Sequence, residues 1–482
     1  MDLKDKRALV VGLGKSGAAS ALFLKSRGAR VTVSDSKPEA ELRKEILPLL
    51  EHGIAVETGG HGDRTFREQD LIVVSPGVPY DAPMLVQARN LGEPVIGEIE
   101  LAAQFLPGPI VAITGANGKT TTTTLAGEIL AAAKIPVLVG GNIGTPAISF
   151  AEQATPRTWI VLEVSSFQLE TIVDFRPRIA VVLNITPDHL DRHKTFDNYV
   201  NAKARIFENQ RPEDFAILNA DDATTAGLAG RTRAQVFRFS RKKEVEQGAF
   251  VRDGKICFRV ARAPSPASAA ASTTARTASP SERPTTDDRR PDLEIMPLAE
   301  IPLKGAHNLE NVLAGICVGM LAGCPPRAIR DAVQNFKAVE HRLEFVAKVA
   351  GVDYYNDSKA TNVDATIKAL ESFPANIHLI LGGKDKGSDY TVLNDLLRER
   401  VKRVYTIGAA AAKIESQIHG AAEIDHAETL ETAVEHAAAA ALSGDVVVLA
   451  PACSSFDQFQ NYEHRGQAFK DAVHSLAEVR TP

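Results

Sequence analysis

The chain has 482 residues, 44% of them hydrophobic and 24% charged, a balance that excludes fibrous and globally disordered classes. At roughly 100 to 200 residues per domain, this length predicts about three domains, each burying its own core. Lys and Arg number 55 against 60 Asp and Glu, a net charge of −5, so nothing draws the chain generally to nucleic acid or anionic lipid.

The opening MDLKDKRALVVGLG runs from charged residues straight into a short apolar strand pattern, without the apolar stretch and small-residue cleavage site of a signal peptide. No apolar run approaches the roughly 18 residues of a membrane helix. Cys257, Cys317, Cys324 and Cys453 contain no C-x-x-C pair and fit reduced thiols better than a disulfide framework or a zinc site. A cytoplasmic protein without membrane insertion is expected.

RALVVGLGKSG, an Ala/Leu-rich helix to about Arg27, and ARVTVSD form a βαβ unit. DLIVVSPGVP adds a strand ending in a Pro/Gly turn, and a short strand near Pro94 to Ile96 leads into a helix. Residues 1–95 are read as the first domain. Gly12-Leu13-Gly14-Lys15-Ser16-Gly17 satisfies G-x-G-x-x-G between strand and helix, with Asp35 ending the next strand where a ribose-binding acid sits. Amide groups at the helix start attract a diphosphate. The motif alone suggests NAD(P), but its physics specifies only a nucleotide diphosphate, and a structural tight turn remains an alternative.

Residues 96–338 read as a second α/β domain, with strands in PIVAIT, WIVLEVSS, RIAVVLNIT and FAILNADD alternating with helices as in a largely parallel sheet. Ile113-Thr114-Gly115-Ala116-Asn117-Gly118-Lys119-Thr120 follows a strand and opens a helix, as a phosphate-cradling loop must. Lys119 is placed to neutralise β/γ phosphates and Thr120 to meet magnesium. Ile113 stands where G-x-x-x-x-G-K-[ST] has its first glycine. Glu163 and His189, after successive strands, fall on the sheet edge where ligands bind; magnesium prefers oxygen, so a histidine needs support from phosphate and water. Residues 262–291 are Pro/Ser/Thr/Ala-rich without large apolar side chains, and read as a mobile insert.

Residues 339–482 read as a third domain with strands near VDYYND, IHLILGG, RVYTIG and DVVVLAP and a final helix after NYEHRGQAF. NDSKATN, GGKDKGSD and PACSSFDQFQNYEHRG fall at strand ends, where lysines and hydroxyls suit a substrate bearing carboxylates. No repeat of fixed period is visible.

TGANGKT, GGNIG, EVSSFQLE, NITPDHLDRH, GAHNLENVLAG, HRLE, NDSKATN and PACSSFDQF, in that order along almost the whole chain, resemble the Mur ligases of peptidoglycan synthesis. The resemblance implies three consecutive α/β domains: a Rossmann-like N-terminal domain, a central P-loop ATPase-like domain and a Rossmann-like C-terminal domain. It implies a monomeric cytoplasmic enzyme that uses ATP and two magnesium sites to join D-glutamate to UDP-N-acetylmuramoyl-L-alanine through an acyl phosphate. Lys119, Glu163, His189 and Lys203 would be catalytic, and Thr120, Glu163, His189 and a carbamylated Lys203 would meet the metals. ATP would lie against Gly115, Asn117, Gly118, Lys119, Thr120, Thr121, Asn308, Asn311, Arg342, Asp357 and Lys359.

The UDP substrate would use Lys15, Ser16, Asp35, Ser36, Lys37, Gly77, Asn142 and Ser165. D-Glutamate would meet Thr361, Lys386, Ser455, Phe456 and Tyr462; Lys384 or Lys386 fills the pocket's lysine position, and spacing to Asp389 favours Lys386. The first-domain glycine motif would then bind UDP rather than NAD. An NAD(P)-dependent oxidoreductase, resting on Gly12 to Gly17 and Asp35, and a non-catalytic nucleotide-binding scaffold are the competing readings.

Overall fold

A computed structural model describes residues 1–62, 65–67, 69–260, 292–303, 305–337 and 339–479, which build three sheets flanked by helices. The Pro/Ser/Thr-rich insert lies outside the described residues. Among them, no helix is long and apolar enough to cross a membrane.

The first sheet comprises β1 (Arg7–Val11), β2 (Arg30–Ser34), β3 (Ala55–Glu57), β4 (Leu71–Val74) and β5 (Val95–Gly97). All pair in parallel, in the order β3-β2-β1-β4-β5. Ala8 to Val11 and Leu71 to Val74 are buried, so these strands read as unbroken apolar runs rather than alternating ones. The order reverses between β1 and β4, opening a crevice beyond their carboxyl ends. There the Gly12 loop meets the turn after β4, with the Ser75 hydroxyl donating to the Gly12 carbonyl at 2.7 Å. A Cβ on Gly17 would collide with that same carbonyl, which fixes glycine at the last motif position.

The second sheet holds β6 (Ile110–Thr114), β7 (Val137–Gly141), β8 (Trp159–Glu163), β9 (Ile179–Val182), β10 (Phe215–Asn219), β11 (Gln235–Ser240), β12 (Gly248–Arg252), β13 (Lys255–Arg259) and β14 (Leu293–Pro297). Its order is β14-β13-β12-β11-β10-β9-β6-β8-β7. The β7 to β12 portion is parallel, while β12-β13 and β13-β14 are antiparallel. The third sheet holds β15 (Glu344–Val349), β16 (Val352–Asn356), β17 (Ile377–Gly382), β18 (Val401–Ile407), β19 (Glu423–Glu428) and β20 (Val446–Leu449), ordered β15-β16-β20-β17-β18-β19.

The last helix, Tyr462–Val479, begins earlier than the sequence suggests. Asn461 Oδ1 accepts the His464 amide at 2.7 Å, a side-chain cap that starts the helix inside NYEHRG.

One apolar cluster runs from Val10, Val31 and Val73 through Ile99 and Leu101 into Ala112, Leu162 and Val182, so the first sheet and one face of the second share a core. Two buried carboxylates stitch this junction. Glu100 accepts the backbone amides of Val173, Asp174 and Phe175 at 2.8 to 3.1 Å. Glu98, 1% exposed, accepts the Ile148 amide at 2.8 Å, and its Oε2 has no partner among the described residues. Burial pushes the Glu98 carboxyl up to about 7, against the backbone amides of Ile148 and Ala147.

The folded carboxyl keeps its proton to about pH 7, while the ordinary value is 4.5. Stability should therefore fall as pH rises through that window and level off above it. Glu98→Gln, uncharged throughout, should flatten this slope in denaturation midpoints measured from about pH 5 to about pH 8; an unchanged slope would show that Glu98 does not titrate there.

Candidate active site

The loop after β6 is built by glycine geometry. Ile113 is the fourth residue of β6 and fully buried, so the turn begins only at Gly115, φ +156°, and closes at Gly118, φ +85°. A Cβ on Gly118 would strike the Asn311 side-chain oxygen, which admits only glycine where helix Ala306–Leu321 approaches. Asn184, beyond β9, ties the loop down: its Oδ1 accepts the Asn117 amide at 2.8 Å and its Nδ2 donates to the Asn117 carbonyl at 3.0 Å.

Lys119 opens helix Lys119–Ala132, and its Nζ donates to the carbonyls of Gly115 at 3.0 Å and Ala116 at 2.8 Å. Burial lowers its pKa, partly countered by Glu163. The Thr120 hydroxyl donates to Glu163 Oε2 at 2.8 Å, and Asn142 Nδ2 donates to Oε1 at 2.9 Å. Burial alone would raise Glu163; Lys119, Lys359 and these two hydrogen bonds together hold it below the usual carboxylate range. A buried anion held ionised between two lysines is the electrostatic centre of the site.

His189, in the left-handed region at φ 54°, packs edge-on against Phe167 at 4.9 Å. Asp188 Oδ2 is 3.7 Å from its Nε2. Burial lowers the His189 pKa, and Lys386 and Lys119 lower it further against the pull of Asp188. Lys203 is 1% exposed, donates to the Gly115 carbonyl at 2.8 Å and contacts Thr114 Oγ1 at 3.4 Å. Burial and the neighbouring Lys119 push it well below the ordinary lysine value.

The third unit reaches into this centre. Lys359 Nζ donates to Thr120 Oγ1 at 3.0 Å, and its pKa is lowered to about 8 by burial and Arg342. Asn117 Nδ2 donates to Asp364 Oδ2 at 2.6 Å, and Asn362 Nδ2 to Asp188 Oδ2 at 3.0 Å. The C-terminal unit is thus docked on the central one by side chains on both.

Two cavities meet at the loop. One, of about 200 Å³, is lined by Asn117, Gly118, Thr121, Asn308, Asn311, Arg342 and Asp357 among others. Within it, Asp357 is raised to about 6 by burial, opposed by Arg342. The other, of about 560 Å³, brings together Lys15, Ser16, Lys119, Thr120, Asn142, Glu163, His189, Lys359, Thr361 and Tyr462 from all three units.

The remaining anticipated residues sit off these linings. Both Asp35 oxygens are engaged by backbone, Oδ2 with the Leu13 amide at 2.6 Å and Oδ1 with that of Lys37 at 2.9 Å; Ser36, Lys37 and Gly77 are on the adjoining turns. Ser165 caps helix Ser166–Leu169 through a reciprocal pair with Gln168. Ser455 is buried and Phe456 is 68% exposed.

The sequence reading passed over Asn184, Thr186, Asn219, Arg241, His307 and Asp364, all lining the smaller cavity, and Asp188 and Asn362, lining the larger. Asn184 and Asp188 lay within NITPDHLDRH and Asn362 within NDSKATN, so a signal existed for these. Asp364 reaches Asn117 across 247 positions, and no local pattern announces it.

Three family descriptions match the chain in order: Mur ligase MurD-like, N-terminal domain, over residues 6–97; Mur ligase middle domain over 113–319; and Mur ligase, glutamate ligase domain over 341–453. The chain belongs to the Mur ligase family, the ATP-dependent amide-bond-forming ligases. It is 64% identical to the UDP-N-acetylmuramoylalanine--D-glutamate ligase of Koribacter versatilis, over 99% of each chain. To the protein of that name in Acidobacterium capsulatum it is 59% identical, over 98% of this chain and 97% of the other. The MurF ligase of Thermotoga maritima in complex with ADP shares the fold at TM-score 0.58 and 16% identity, covering 99% of this chain and 96% of that one. The pseudomurein peptide ligase type C of Methanothermus fervidus does so at 0.58 and 18%, covering 98% and 100%. The oxidoreductase and scaffold readings are set aside by this membership.

Proposed function

We propose that the chain joins D-glutamate to UDP-N-acetylmuramoyl-L-alanine at the expense of ATP, as a cytoplasmic step in peptidoglycan precursor synthesis. The observation that carries this reading is one cleft to which all three units contribute: Lys15 and Ser16 from the first, Lys119, Thr120 and Glu163 from the second, Lys359, Thr361 and Tyr462 from the third. One chain supplies every wall of this cleft, which supports the reading of the enzyme as a monomer.

The alanyl carboxylate oxygen bonds to the γ-phosphorus as ADP leaves. The amine of D-glutamate then attacks the acyl carbon, phosphate departs with the C–O bonding electrons, and the nitrogen gives up a proton as the amide forms. Every reactant is anionic, so the protein's task is alignment and charge neutralisation. Lys119 and Lys359 bring cations to the transferring phosphoryl group, with ATP lying in the smaller cavity against Thr121, Asn308, Asn311, Arg342 and Asp357. Lys15, Ser16 and Asn142 hold the UDP substrate, with Ser36, Lys37, Gly77 and Ser165 alongside, and Asp35 shapes the Gly12 loop. Thr361, Lys386, Ser455, Phe456 and Tyr462 receive D-glutamate.

Magnesium fits the donors present. The Thr120 hydroxyl and the ionised Glu163 are adjacent hard oxygen ligands, with His189 nearby. Among the described residues no three His, Cys, Asp or Glu side chains gather as a metal site, so oxygens of the phosphates and of Lys203 as a carbamate would complete the shell. Burial and the neighbouring Lys119 hold the Lys203 pKa well below the ordinary lysine value, which favours the uncharged amine, the form that adds carbon dioxide. When bound, the metal ions would mute repulsion among the phosphates.

Phosphate release from ATP with UDP-N-acetylmuramoyl-L-alanine and a panel of amino acids tests the reading: turnover is expected with D-glutamate. Strong turnover with L-lysine or diaminopimelate and none with D-glutamate would overturn it.

A further inference from the structure

The loop after β17 carries Gly382-Gly383-Lys384-Asp385-Lys386, and the loop after β20 carries Cys453-Ser454-Ser455. They are joined directly: Lys384 and Ser454 exchange backbone hydrogen bonds at 2.8 and 3.2 Å, and Ser454 Oγ donates to the Lys384 carbonyl at 3.0 Å. Lys384 and Lys386 flank an aspartate turned the other way. Asp385 Oδ1 accepts the Tyr390 hydroxyl at 2.8 Å and the Ser388 amide at 3.1 Å, while Oδ2 accepts Lys413 Nζ at 2.7 Å. Lys413 also donates to the Ser388 carbonyl at 2.8 Å. The Tyr390 ring is fully buried, and its oxygen lies 3.0 Å from Cys453 Sγ. One phenol therefore touches both loops.

Lys386 lies near enough to Asp188 and His189 to lower the pKa of each, which puts the first loop beside the reaction centre. Asp385, anchored through Tyr390, Ser388 and Lys413, fixes the backbone on which the adjoining Lys386 stands.

We propose that Tyr390, Asp385 and Lys413 form a positioning brace that sets Lys386 and the Cys453–Ser455 loop in register for the carboxylates of the incoming amino acid. This rests on D-glutamate binding at Lys386 and Ser455, as proposed above. None of the three touches substrate; each acts through the loops. A brace of this kind governs affinity for the acceptor without changing the phosphate loop or the uridine side.

The test is steady-state kinetics on Tyr390→Phe, which removes only the hydroxyl, and on Asp385→Ala and Lys413→Ala. Loss of one buried hydrogen bond should raise the apparent KM for D-glutamate about fivefold in Tyr390→Phe, and Asp385→Ala should raise it more. KM for ATP and for the UDP substrate should stay within about twofold, and Lys413→Arg should restore much of what Lys413→Ala loses. If the three KM values rise together, or kcat falls alone alongside a lower melting temperature, the residues are merely structural and the proposal fails. If wild type turns over with D-glutamate and the KM for D-glutamate does not move in any variant, the brace fails while the activity stands. If wild type itself does not use D-glutamate, the activity assignment fails first, and with it the premise of the brace.

Discussion

Lys119→Ala should reduce kcat for phosphate release by about a hundred- to a thousandfold, the effect of deleting one preorganised charge donor from a low-dielectric site. Two contributions add in the same direction. The developing phosphoryl charge loses its nearest cation, and Glu163, whose low pKa depends first on Lys119 against the cost of burial, is left a less well compensated anion. Lys119→Arg should recover little, because the Nζ sits between the Gly115 and Ala116 carbonyls and a planar fork does not fit where a compact ammonium does. Thermal melting separates this from misfolding: the midpoint should stay close to wild type. A Lys119→Ala enzyme keeping more than about a tenth of wild-type kcat would remove Lys119 from the chemistry.

Lys203→Ala should be the next most damaging change, with a fall of about a hundredfold or more from the loss of one electrostatic contact to the reacting centre. Its signature is chemical rescue. Formate or acetate, diffusing into the space left by the side chain, should restore part of the turnover, whereas ammonium or alkylamines should not, because the function proposed for the carbamate is that of an anionic oxygen rather than an amine. Lys203→Arg should be neither active nor rescued. Unchanged turnover in Lys203→Ala without added carboxylate would eliminate its proposed role.

What could be read from the chain in advance follows the range of the interactions involved. The phosphate loop was legible because strand, glycine turn and helix are contiguous, and the departure at Ile113 resolves once that residue is seen inside β6. The first sheet was legible through buried runs such as Ala8 to Val11, while β3, three residues without a buried one, carried no signal. The edge strand β19, with Ala427 its only buried residue, was invisible for the same reason. β12 and β13 form a hairpin about Asp253-Gly254, a local turn signal left unused, whereas β14 was hidden by separation, pairing with β13 across the long polar insert.

At the site, Lys119, Glu163 and His189 each lay at or just beyond the border of a recognisable segment. Asn219, the last residue of β10, shared that context without being singled out, whereas Asp364 and Arg241 converge on the site only when distant segments fold together. Geometry also adds meaning to residues already singled out. Asp35 supports the glycine loop through Oδ2 on the Leu13 amide and its own turn through Oδ1 on that of Lys37, roles that its place after β2 does not specify.

The apolar cluster common to the first two sheets bears on how this chain can be divided. A fragment starting at Ile110 would lose the part of this cluster that the first sheet supplies, and residues 1–97 alone would lose Ile99 and Leu101; either piece should be sticky and poorly expressed. The third unit carries its own apolar clusters on both faces of its sheet, so a cut near residue 339 is where a separately purified, well-behaved module should be obtained.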